Sequence, residues 1–227
     1  MNSTPSPSFL FDLDGTLVDS VYQHVLAWHE ALESCGIGLP VWRIHRRIGM
    51  SGGLFTKALL QETGHEISPE EREKLYRLHA EGYARRAAQI RPLPGARALL
   101  DHLTETGVPW AVATSGRVVS ARPTLAVLGI DIDKAPVVTR DQVRYAKPDP
   151  DLFLAAAAKI NMPIEQAIVV GDSVWDLLAA RRAGALGIGL LSGGYGADEL
   201  ERAGAFRVYE DPGDLLRHLY EVGVRRD

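Results

Sequence analysis

Short apolar segments alternate with helical segments along most of this chain. The first apolar segment, 9–11, is followed later by VPWAVAT (108–114), APVVT (135–139), AIVVGD (167–172) and ALGIGLL (185–191), and each of the five is predicted to be a strand. Helices are predicted between the last four. Alternating strands and helices are typical of a parallel sheet that is covered on both faces and wound with right-handed crossovers. The pattern therefore predicts an α/β protein with a doubly wound parallel sheet.

A wholly helical segment interrupts this alternation after the first strand. Its first helix is predicted to end at Gly36, because glycine commonly terminates helices, and a later helix is predicted to begin with Ser68 as N-cap and Pro69 in its first turn. No strand is predicted between 21 and 88. The chain is thus expected to form a discontinuous α/β core, 1–20 and 89–227, and a helical insert, 21–88.

Polar and charged residues gather where the predicted strands end. Ligands of open α/β sheets bind in the crevice beyond the carboxyl ends of the strands, so residues from distant parts of the sequence are expected to meet there. After the first to the fourth strand these residues are, in order, Asp12 and Asp14; Thr114 and Ser115; Lys147; and Asp172 and Asp176.

The acidic pair in FLFDLDGTLVDS (9–20) indicates what chemistry this crevice supports. Side chains two positions apart on a strand lie on the same side, and close carboxylates repel each other unless a cation balances them. A site rich in carboxylates and poor in histidine and cysteine suits Mg²⁺. Lys147 adds a positive charge, Thr114 a hydroxyl, and Ser115 a backbone amide at a turn that favours anions. Such a site fits phosphoryl transfer, where catalysis is mostly positioning and charge neutralisation.

The composition narrows the classes of function. The 227 residues include 25 Lys and Arg and 29 Asp and Glu, a formal net charge of −4, and 46% of them are hydrophobic. This balance offers no basic field for nucleic acid, and no apolar run is long enough for a membrane helix. The single cysteine, Cys35, excludes an internal disulfide and fits a reducing compartment. The start, MNSTPSPS, is expected to be a short disordered lead-in rather than a secretory signal, so we predict a soluble, cytoplasmic protein.

Four motifs together carry a family resemblance. DLDGT at 12–16, Thr114 after an apolar strand, Lys147 in KPDP, and GDSVWD at 171–176 occur in the order and at the separations of the haloacid dehalogenase superfamily. The chain resembles its phosphoglycolate phosphatase and β-phosphoglucomutase-like branch over nearly its whole length. The resemblance implies a Rossmann-like core with an α-helical cap inserted after the first strand.

The resemblance also implies roles for the acidic pair. Asp12 would be the nucleophile that forms an aspartyl-phosphate, and Asp14 would protonate the leaving oxygen and then deprotonate the hydrolytic water. The two pKa values are expected to be pushed apart, with Asp12 kept ionised by the metal and Lys147.

The remaining residues at the strand ends would hold ligands. Mg²⁺ would be bound by Asp12, the backbone carbonyl of Asp14, Asp172 and Asp176, the last directly or through water. Phosphoryl oxygens would be bound by Thr114, Ser115 and Lys147. The substrate is expected to be a small phosphorylated metabolite.

The helical insert would act as a lid with hinges near 18–21 and 88–92. Three of its positions are expected to read the substrate: His24, where the mutase-like relatives have a histidine, Gly52, where they have an arginine, and His79, where they have a lysine. The loss of the arginine and the lysine favours a simple hydrolase.

Two other functions stay open on the sequence alone. One is a sugar-phosphate mutase like β-phosphoglucomutase. The other is a phospho-receiver signalling domain, which also uses an aspartate, a hydroxyl, a lysine and Mg²⁺ but lacks a large helical insert. Two further segments are interpreted without a function: SGGYG at 192–196 as a plain loop, and the basic run at 43–47 as a solvated helix face that could attract a phosphorylated substrate.

Overall fold

A computed structural model describes residues 7–64 and 66–224 of the protein. The disordered lead-in predicted for the first eight residues falls mostly on 1–6, which lie outside the described residues.

Six parallel strands form the central sheet, in the order β5-β4-β1-β6-β7-β8. They are β1 (Ser8–Phe11), β4 (Trp110–Ala113), β5 (Val137–Val138), β6 (Ala167–Gly171), β7 (Leu186–Leu190) and β8 (Ala205–Tyr209). Two short strands, β2 (Val18–Asp19) and β3 (Arg91–Pro92), form a separate antiparallel ribbon. The chain builds outward from β1 through β4 to β5 and then returns to the other side of β1 for β6. The predicted doubly wound parallel sheet is confirmed, and its switch point lies beside β1.

Ten α-helices occur in the described part of the chain. They are α1 (Val21–Glu33), α2 (Val41–His45), α3 (Gly52–Thr63), α4 (Pro69–Arg86), α5 (Ala96–Glu105), α6 (Val118–Ala126), α7 (Asp151–Lys159), α8 (Val174–Ala183), α9 (Ala197–Ala203) and α10 (Pro212–Arg217). Short 3₁₀ helices occur at Ala87–Gln89, Arg140–Gln142, Ile164–Gln166, Leu191–Gly193 and Leu219–Val222.

Helices cover both faces of the sheet, which explains why β1 is apolar throughout. Successive side chains of a strand point to opposite faces. Phe9 and Phe11 therefore join a cluster with α5, α6 and α10 on one face, whereas Leu10 joins a cluster with α7 and α8 on the other. All three side chains are fully buried, and the end of β1 is held rigidly at the switch point.

The sequence pattern missed β8. This strand forms one edge of the sheet, and the middle of its sequence AFRVY is exposed, with 48% of Phe206 accessible to solvent. An edge strand with a solvated face lacks the continuous apolar run by which the buried strands were predicted.

The helical insert has a small core of its own. Val25, Leu32, Ile44, Phe55 and Leu75 are buried together between α1, α2, α3 and α4. β2 leads into the insert and β3 leads out of it, and the two strands pair with each other, with Val18 opposite Pro92. This ribbon lies at the positions predicted as hinges, and the division of the chain at 20/21 and 88/89 stays a prediction.

The predicted ends of two insert helices are confirmed. α1 itself ends at Glu33, and the turn that closes its C-terminus ends at Gly36. There the N–H of Ile37 donates to the carbonyl of Leu32, and the N–H of Gly36 donates to the carbonyl of Glu33. Ser68 is the N-cap of α4: its Oγ accepts from the N–H of Glu71 at 3.1 Å. No strand occurs within the described residues of 21–88.

No helix in the described ranges is both long enough and apolar enough to cross a membrane.

Candidate active site

The site is built around Asp12, which directly follows β1. Its N–H donates to the carbonyl of Val170 at 2.9 Å, so the backbone is still held by the sheet at this residue. The carboxylate is almost completely buried and accepts a hydrogen bond from Nζ of Lys147. A side chain on the last rigid residue of a central strand is well placed to act on a ligand in the crevice.

Lys147 carries a fully buried positive charge. Its ammonium contacts Asp12 and lies 2.8 Å from Oδ1 of Asp176. Burial by itself would lower the pKa of Lys147, but the two carboxylates outweigh it and raise the pKa. The lysine is therefore a permanent cation, buried only because acidic partners surround it.

Three buried carboxylates meet around this lysine. Oxygen atoms of Asp12, Asp172 and Asp176 all lie within 4.8 Å of one another. Oδ1 of Asp172 accepts from the hydroxyl of Thr16 at 2.8 Å, and Oδ2 of Asp176 accepts from the hydroxyl of Ser173 at 2.5 Å. Oδ1 of Asp176 accepts no well-directed hydrogen bond in the described part of the chain. Three negative charges thus face one positive charge.

The excess negative charge shows in the pKa values of the cluster. Burial raises the pKa of Asp12 to about 7, although Lys147 opposes the shift, and Asp176 raises it further. Burial and the charge of Asp176 also raise the pKa of Asp172 well above its usual range. These groups ionise fully only when another positive charge is near.

The cluster fits a small, oxygen-coordinated cation. It offers carboxylate oxygens only, which is the donor set that Mg²⁺ prefers. Gly193 packs so closely on Asp172 that a Cβ at this position would overlap the carboxylate. The carboxylate of Asp172 can therefore take its present position only because residue 193 has no side chain.

Asp14 has an environment unlike that of Asp12. Its Oδ1 accepts from the hydroxyl of Ser20 at 2.6 Å and lies 3.2 Å from Nε2 of His24. Burial would raise the pKa of Asp14, but His24, Ser20 and Lys147 together outweigh it and the pKa is lowered. The two pKa values are thus separated, with Asp12 the higher of the two. Lys147 alone does not keep Asp12 ionised against burial, so the expected ionised state depends on the cation.

Thr114 and Ser115 lie at the end of β4, beside Asp12. Oγ1 of the buried Thr114 accepts from the N–H of Gly116 at 2.9 Å, which closes the turn toward α6. The hydroxyl of Ser115 donates to the carbonyl of Gly49 in the insert at 2.9 Å. These residues therefore border both the crevice and the insert.

A cavity of about 550 Å³ separates the insert from this part of the core. The residues predicted from the sequence divide into two groups by their place. Those that line the cavity are Asp12, Asp14, His24, Gly52, His79, Thr114 and Ser115. Those that surround the carboxylate of Asp12 without lining the cavity are Lys147, Asp172 and Asp176. The structure brings the whole predicted set together.

Gly52 lies against the ring of Tyr76. A Cβ at Gly52 would come within 2.9 Å of that ring. An aromatic side chain from α4 therefore fills the space beside Gly52.

Sequence reasoning missed several side chains of the cavity. Arginines from four separate segments line it: Arg47, Arg72, Arg117 and Arg140. The guanidinium of Arg117, from the core, lies over the ring of Tyr76, from the insert, at 5.4 Å from its centroid. Arg47 belongs to the basic run at 43–47 that could attract a phosphorylated substrate, and it does line the cavity. Nothing in the local sequence of the other three arginines marks them, because their proximity depends on how the insert packs on the core.

The basic run at 43–47 is not a plain solvated face, which corrects the sequence interpretation. Arg46 pairs with Glu199 and stacks on Tyr195 of the core at 4.0 Å, and its carbonyl accepts from the hydroxyl of Tyr195 at 2.9 Å. Arg47 pairs with Glu62 within the insert. The run forms part of the contact between insert and core.

The loop at 192–196 is also more than a plain loop. Ser192 donates to the carbonyl of Gly15 at 2.6 Å, and Nε2 of His45 lies 2.8 Å from the carbonyl of Gly193. The loop thereby holds the acidic cluster on one side and the insert on the other. Its glycine composition suggested only a turn, because the close approach to Asp172 is a tertiary feature.

Comparisons with known proteins agree with this geometry. A family model described as haloacid dehalogenase-like hydrolase matches residues 8–184. A phosphoglycolate phosphatase from Agrobacterium fabrum is 31% identical over 196 residues, which are 85% of this chain and 84% of that protein. Hexitol phosphatase A from Escherichia coli is 32% identical over 178 residues, 78% of this chain and 79% of that protein.

One solved structure is much more similar in sequence. The crystal structure of a hydrolase from Pseudomonas syringae superposes with a TM-score of 0.95 at 58% identity. It covers 96% of this chain, and this chain covers all of it. The similarity spans the core and the insert alike.

Proposed function

The chain belongs to the haloacid dehalogenase-like hydrolase family, as a phosphatase, and we propose that it hydrolyses a small phosphomonoester with Mg²⁺ through a phosphorylated Asp12. The observation that carries this proposal is the buried arrangement of Asp12, Lys147 and two further carboxylates beneath a cavity that also exposes Asp14. A nucleophile, a permanent cation and an acid of different pKa meet at one point.

The geometry supports a two-step reaction. In the first step a carboxylate oxygen of Asp12 attacks phosphorus and the bond to the leaving oxygen breaks. Asp14, which must first take up a proton on Oδ2 because its pKa is lowered, gives that proton to the leaving oxygen. In the second step Asp14 takes a proton from water, whose oxygen attacks phosphorus and releases Asp12 and inorganic phosphate. Lys147, the hydroxyl of Thr114 and the backbone of Ser115 would hold the phosphoryl oxygens. A cation bound by Asp12, the carbonyl of Asp14, Asp172 and Asp176 would neutralise their charge.

Hydrolysis is favoured over phosphoryl transfer between sugar positions. The two positions at which the mutase-like relatives grip a second phosphate hold neither an arginine nor a lysine. Gly52 is packed against Tyr76, and His79 lies 3.1 Å from His24. Because these positions do not bind the second phosphate of a sugar bisphosphate, water is the expected acceptor of the phosphoryl group.

The cavity suits a small leaving group with a negative charge of its own. Its lining includes Arg72, Arg117 and Arg140 near Tyr76, against the acidic Glu73 and Asp141. Two relatives are named phosphoglycolate phosphatase and hexitol phosphatase. The leaving group of the first substrate, glycolate, is anionic, and that of the second, a hexitol, is neutral. We expect the anionic substrate to be preferred.

The test is release of inorganic phosphate from a panel that contains phosphoglycolate, hexitol phosphates and hexose phosphates. Activity is expected only with Mg²⁺, and Asp12→Asn is expected to reduce it by at least about a thousandfold. Circular dichroism of the variant provides the control for folding. Isomerisation of a hexose phosphate without phosphate release would show a mutase instead. A stable phosphoprotein without turnover would show a phospho-receiver.

A further inference from the structure

Four aromatic rings of the insert form a continuous column beside Asp14. Two come from α1 and two from α4, four residues apart on each helix, so both pairs lie on one helical face. The order of rings is Trp28, His79, His24 and Tyr83, with neighbouring centroids 4.2, 5.2 and 3.9 Å apart.

The hydrogen bonds around this column determine which group donates to Asp14. Thr124 of the core donates its hydroxyl proton to the carbonyl of Ser120 at 3.0 Å. The hydroxyl oxygen of Tyr83 lies 2.7 Å from Oγ1 of Thr124 and 3.5 Å from Oδ1 of Asp14. Tyr83 therefore donates its single proton to the nearer oxygen, that of Thr124. The donors to Oδ1 of Asp14 are therefore the hydroxyl of Ser20 and Nε2 of His24.

His24 lies between Asp14 and His79. Its Nε2 faces Asp14, and its Nδ1 lies 3.1 Å from Nε2 of His79. A neutral imidazole has one N–H and one acceptor nitrogen, and the partner of one nitrogen decides the state of the other. If His79 donates from Nε2, Nδ1 of His24 must accept, and the proton of His24 must be on Nε2.

His79 can take this part because its ring stays neutral and its other nitrogen is not engaged. Burial lowers the pKa of His79 well below its usual range. Among the described residues Nδ1 of His79 has no hydrogen-bond partner, so the single proton can be on Nε2.

We propose that His79 is a positioning residue: its Nε2–H donates to Nδ1 of His24 and so holds the proton of His24 on Nε2, facing Oδ1 of Asp14. This proposal rests on the proposed function only in giving Asp14 the acid–base role. With Oδ1 held by Ser20 and His24, Oδ2 is the oxygen left to exchange a proton with the substrate. Both histidines belong to the insert and Asp14 to the core, so the arrangement exists only when the insert is packed on the core.

The first experiment measures the tautomer of His24 directly. Imidazole ¹⁵N chemical shifts of the metal-free protein near neutral pH distinguish protonated from unprotonated nitrogens, and the His24→Gln variant assigns the signals. The proposal expects Nε2 of His24 to be protonated and Nδ1 unprotonated, and expects His79→Phe to abolish this pattern. A protonated Nδ1 of His24 in the unaltered protein would overturn it, and so would an unchanged pattern in His79→Phe.

The second experiment separates positioning from substrate binding. His79→Phe retains a ring that stacks on Trp28 but cannot donate, and is expected to lower kcat roughly tenfold, part of what an acid–base group contributes, with KM little changed. His79→Gln, whose amide can donate to Nδ1 of His24, is expected to recover most of kcat. A raised KM at unchanged kcat would instead make His79 a substrate-binding residue.

The two experiments keep the proposals distinguishable. If the unaltered protein releases no phosphate from any substrate, the proposed function fails, whereas the ¹⁵N shifts still test the role of His79. If His79→Phe does not fold, as judged by circular dichroism, His79→Gln and the shifts of the unaltered protein still decide the matter.

Discussion

Nζ of Lys147 lies 2.8 Å from Oδ1 of Asp176, and neither side chain has any surface accessible to solvent. The same ammonium also contacts Asp12. One buried positive charge is thus shared by two carboxylates, while Asp172 lies beside them with the hydroxyl of Thr16 as its one hydrogen-bond donor among the residues that the structure describes. The stability of this cluster must depend on protons or a cation, and both can be controlled in solution.

Without a divalent cation, the protein is expected to lose stability as the pH rises from about 5.5 to 7.5. Burial raises the pKa of Asp12 to about 7 in the folded protein, whereas an unfolded aspartate titrates near 3.9. Between these values the folded state binds the additional proton, so the free energy of unfolding falls with rising pH. Urea unfolding in EDTA across this range measures the slope.

Two comparisons identify the source of that slope. Saturating Mg²⁺ is expected to flatten it and to raise the midpoint of unfolding, because the cation replaces the protons and binds only the folded state. Asp12→Asn in EDTA is expected to show a smaller slope, because this group no longer titrates. A free energy of unfolding that rises with pH in EDTA would contradict the assignment.

Gly193→Ala is expected to weaken Mg²⁺ binding and to reduce phosphatase activity by about tenfold or more. The new Cβ would overlap the carboxylate of Asp172, which must then move away from Asp12 and Asp176. Isothermal titration with Mg²⁺ measures the affinity directly.

Gly38→Ala is the matched control for this substitution. Gly38 lies in the insert, and a Cβ there would meet nothing within 4 Å. Its Mg²⁺ affinity and activity are expected to equal those of the unaltered protein. Equal affinities of the two variants would show that the close packing on Asp172 is not needed for the cation.

Arg46 and Glu199 are expected to be coupled across the contact between insert and core. Their side chains are about one-third exposed, at 35% and 38%, so solvent screening limits the coupling to about 0.5 kcal/mol. A double-mutant cycle of Arg46→Ala and Glu199→Gln, followed by urea unfolding, measures it. Loss of this contact is also expected to raise KM, because Arg46 and Glu199 help to hold the insert over the cavity that binds the substrate.

The pair Arg77 and Glu81 is the control, since both residues lie on α4 and their ion pair is exposed. A cycle on this pair is expected to leave KM unchanged. Strictly additive effects of the Arg46 and Glu199 substitutions, with KM unaltered, would show that this contact does not hold the insert.

Arg117→Ala is expected to raise KM about fivefold for phosphoglycolate and to leave KM for a hexitol phosphate unchanged. An exposed arginine contributes about 1 kcal/mol to binding a charged group, and only the first leaving group carries a charge. Steady-state kinetics on both substrates test this. Arg122→Ala, on α6 but outside the cavity lining, is the control. Equal KM changes for both substrates would contradict charge recognition by Arg117.

The doubly wound parallel sheet and the main site residues followed from local sequence patterns, whereas the order of the strands did not. Buried strands such as β1 and β6 are apolar throughout because helices cover both faces, and the acids that follow them break that pattern abruptly. Since parallel strands align their carboxyl ends, Asp12, Lys147 and Asp172 were predicted to meet although 160 positions separate the first and last. The edge strand β8 was missed because its middle is solvated.

The sequence by itself therefore determined the α/β core, the helical insert and the residues at the ends of buried strands, because burial and chain geometry act locally and leave periodic patterns. Only the tertiary structure decided which side chains face one another across the cavity. The pairing of His24 with His79, of Arg117 with Tyr76 and of Arg46 with Glu199 depends on how the insert packs on the core or on itself. Such contacts join residues far apart in the chain, and no local pattern of apolar and polar positions encodes their distances.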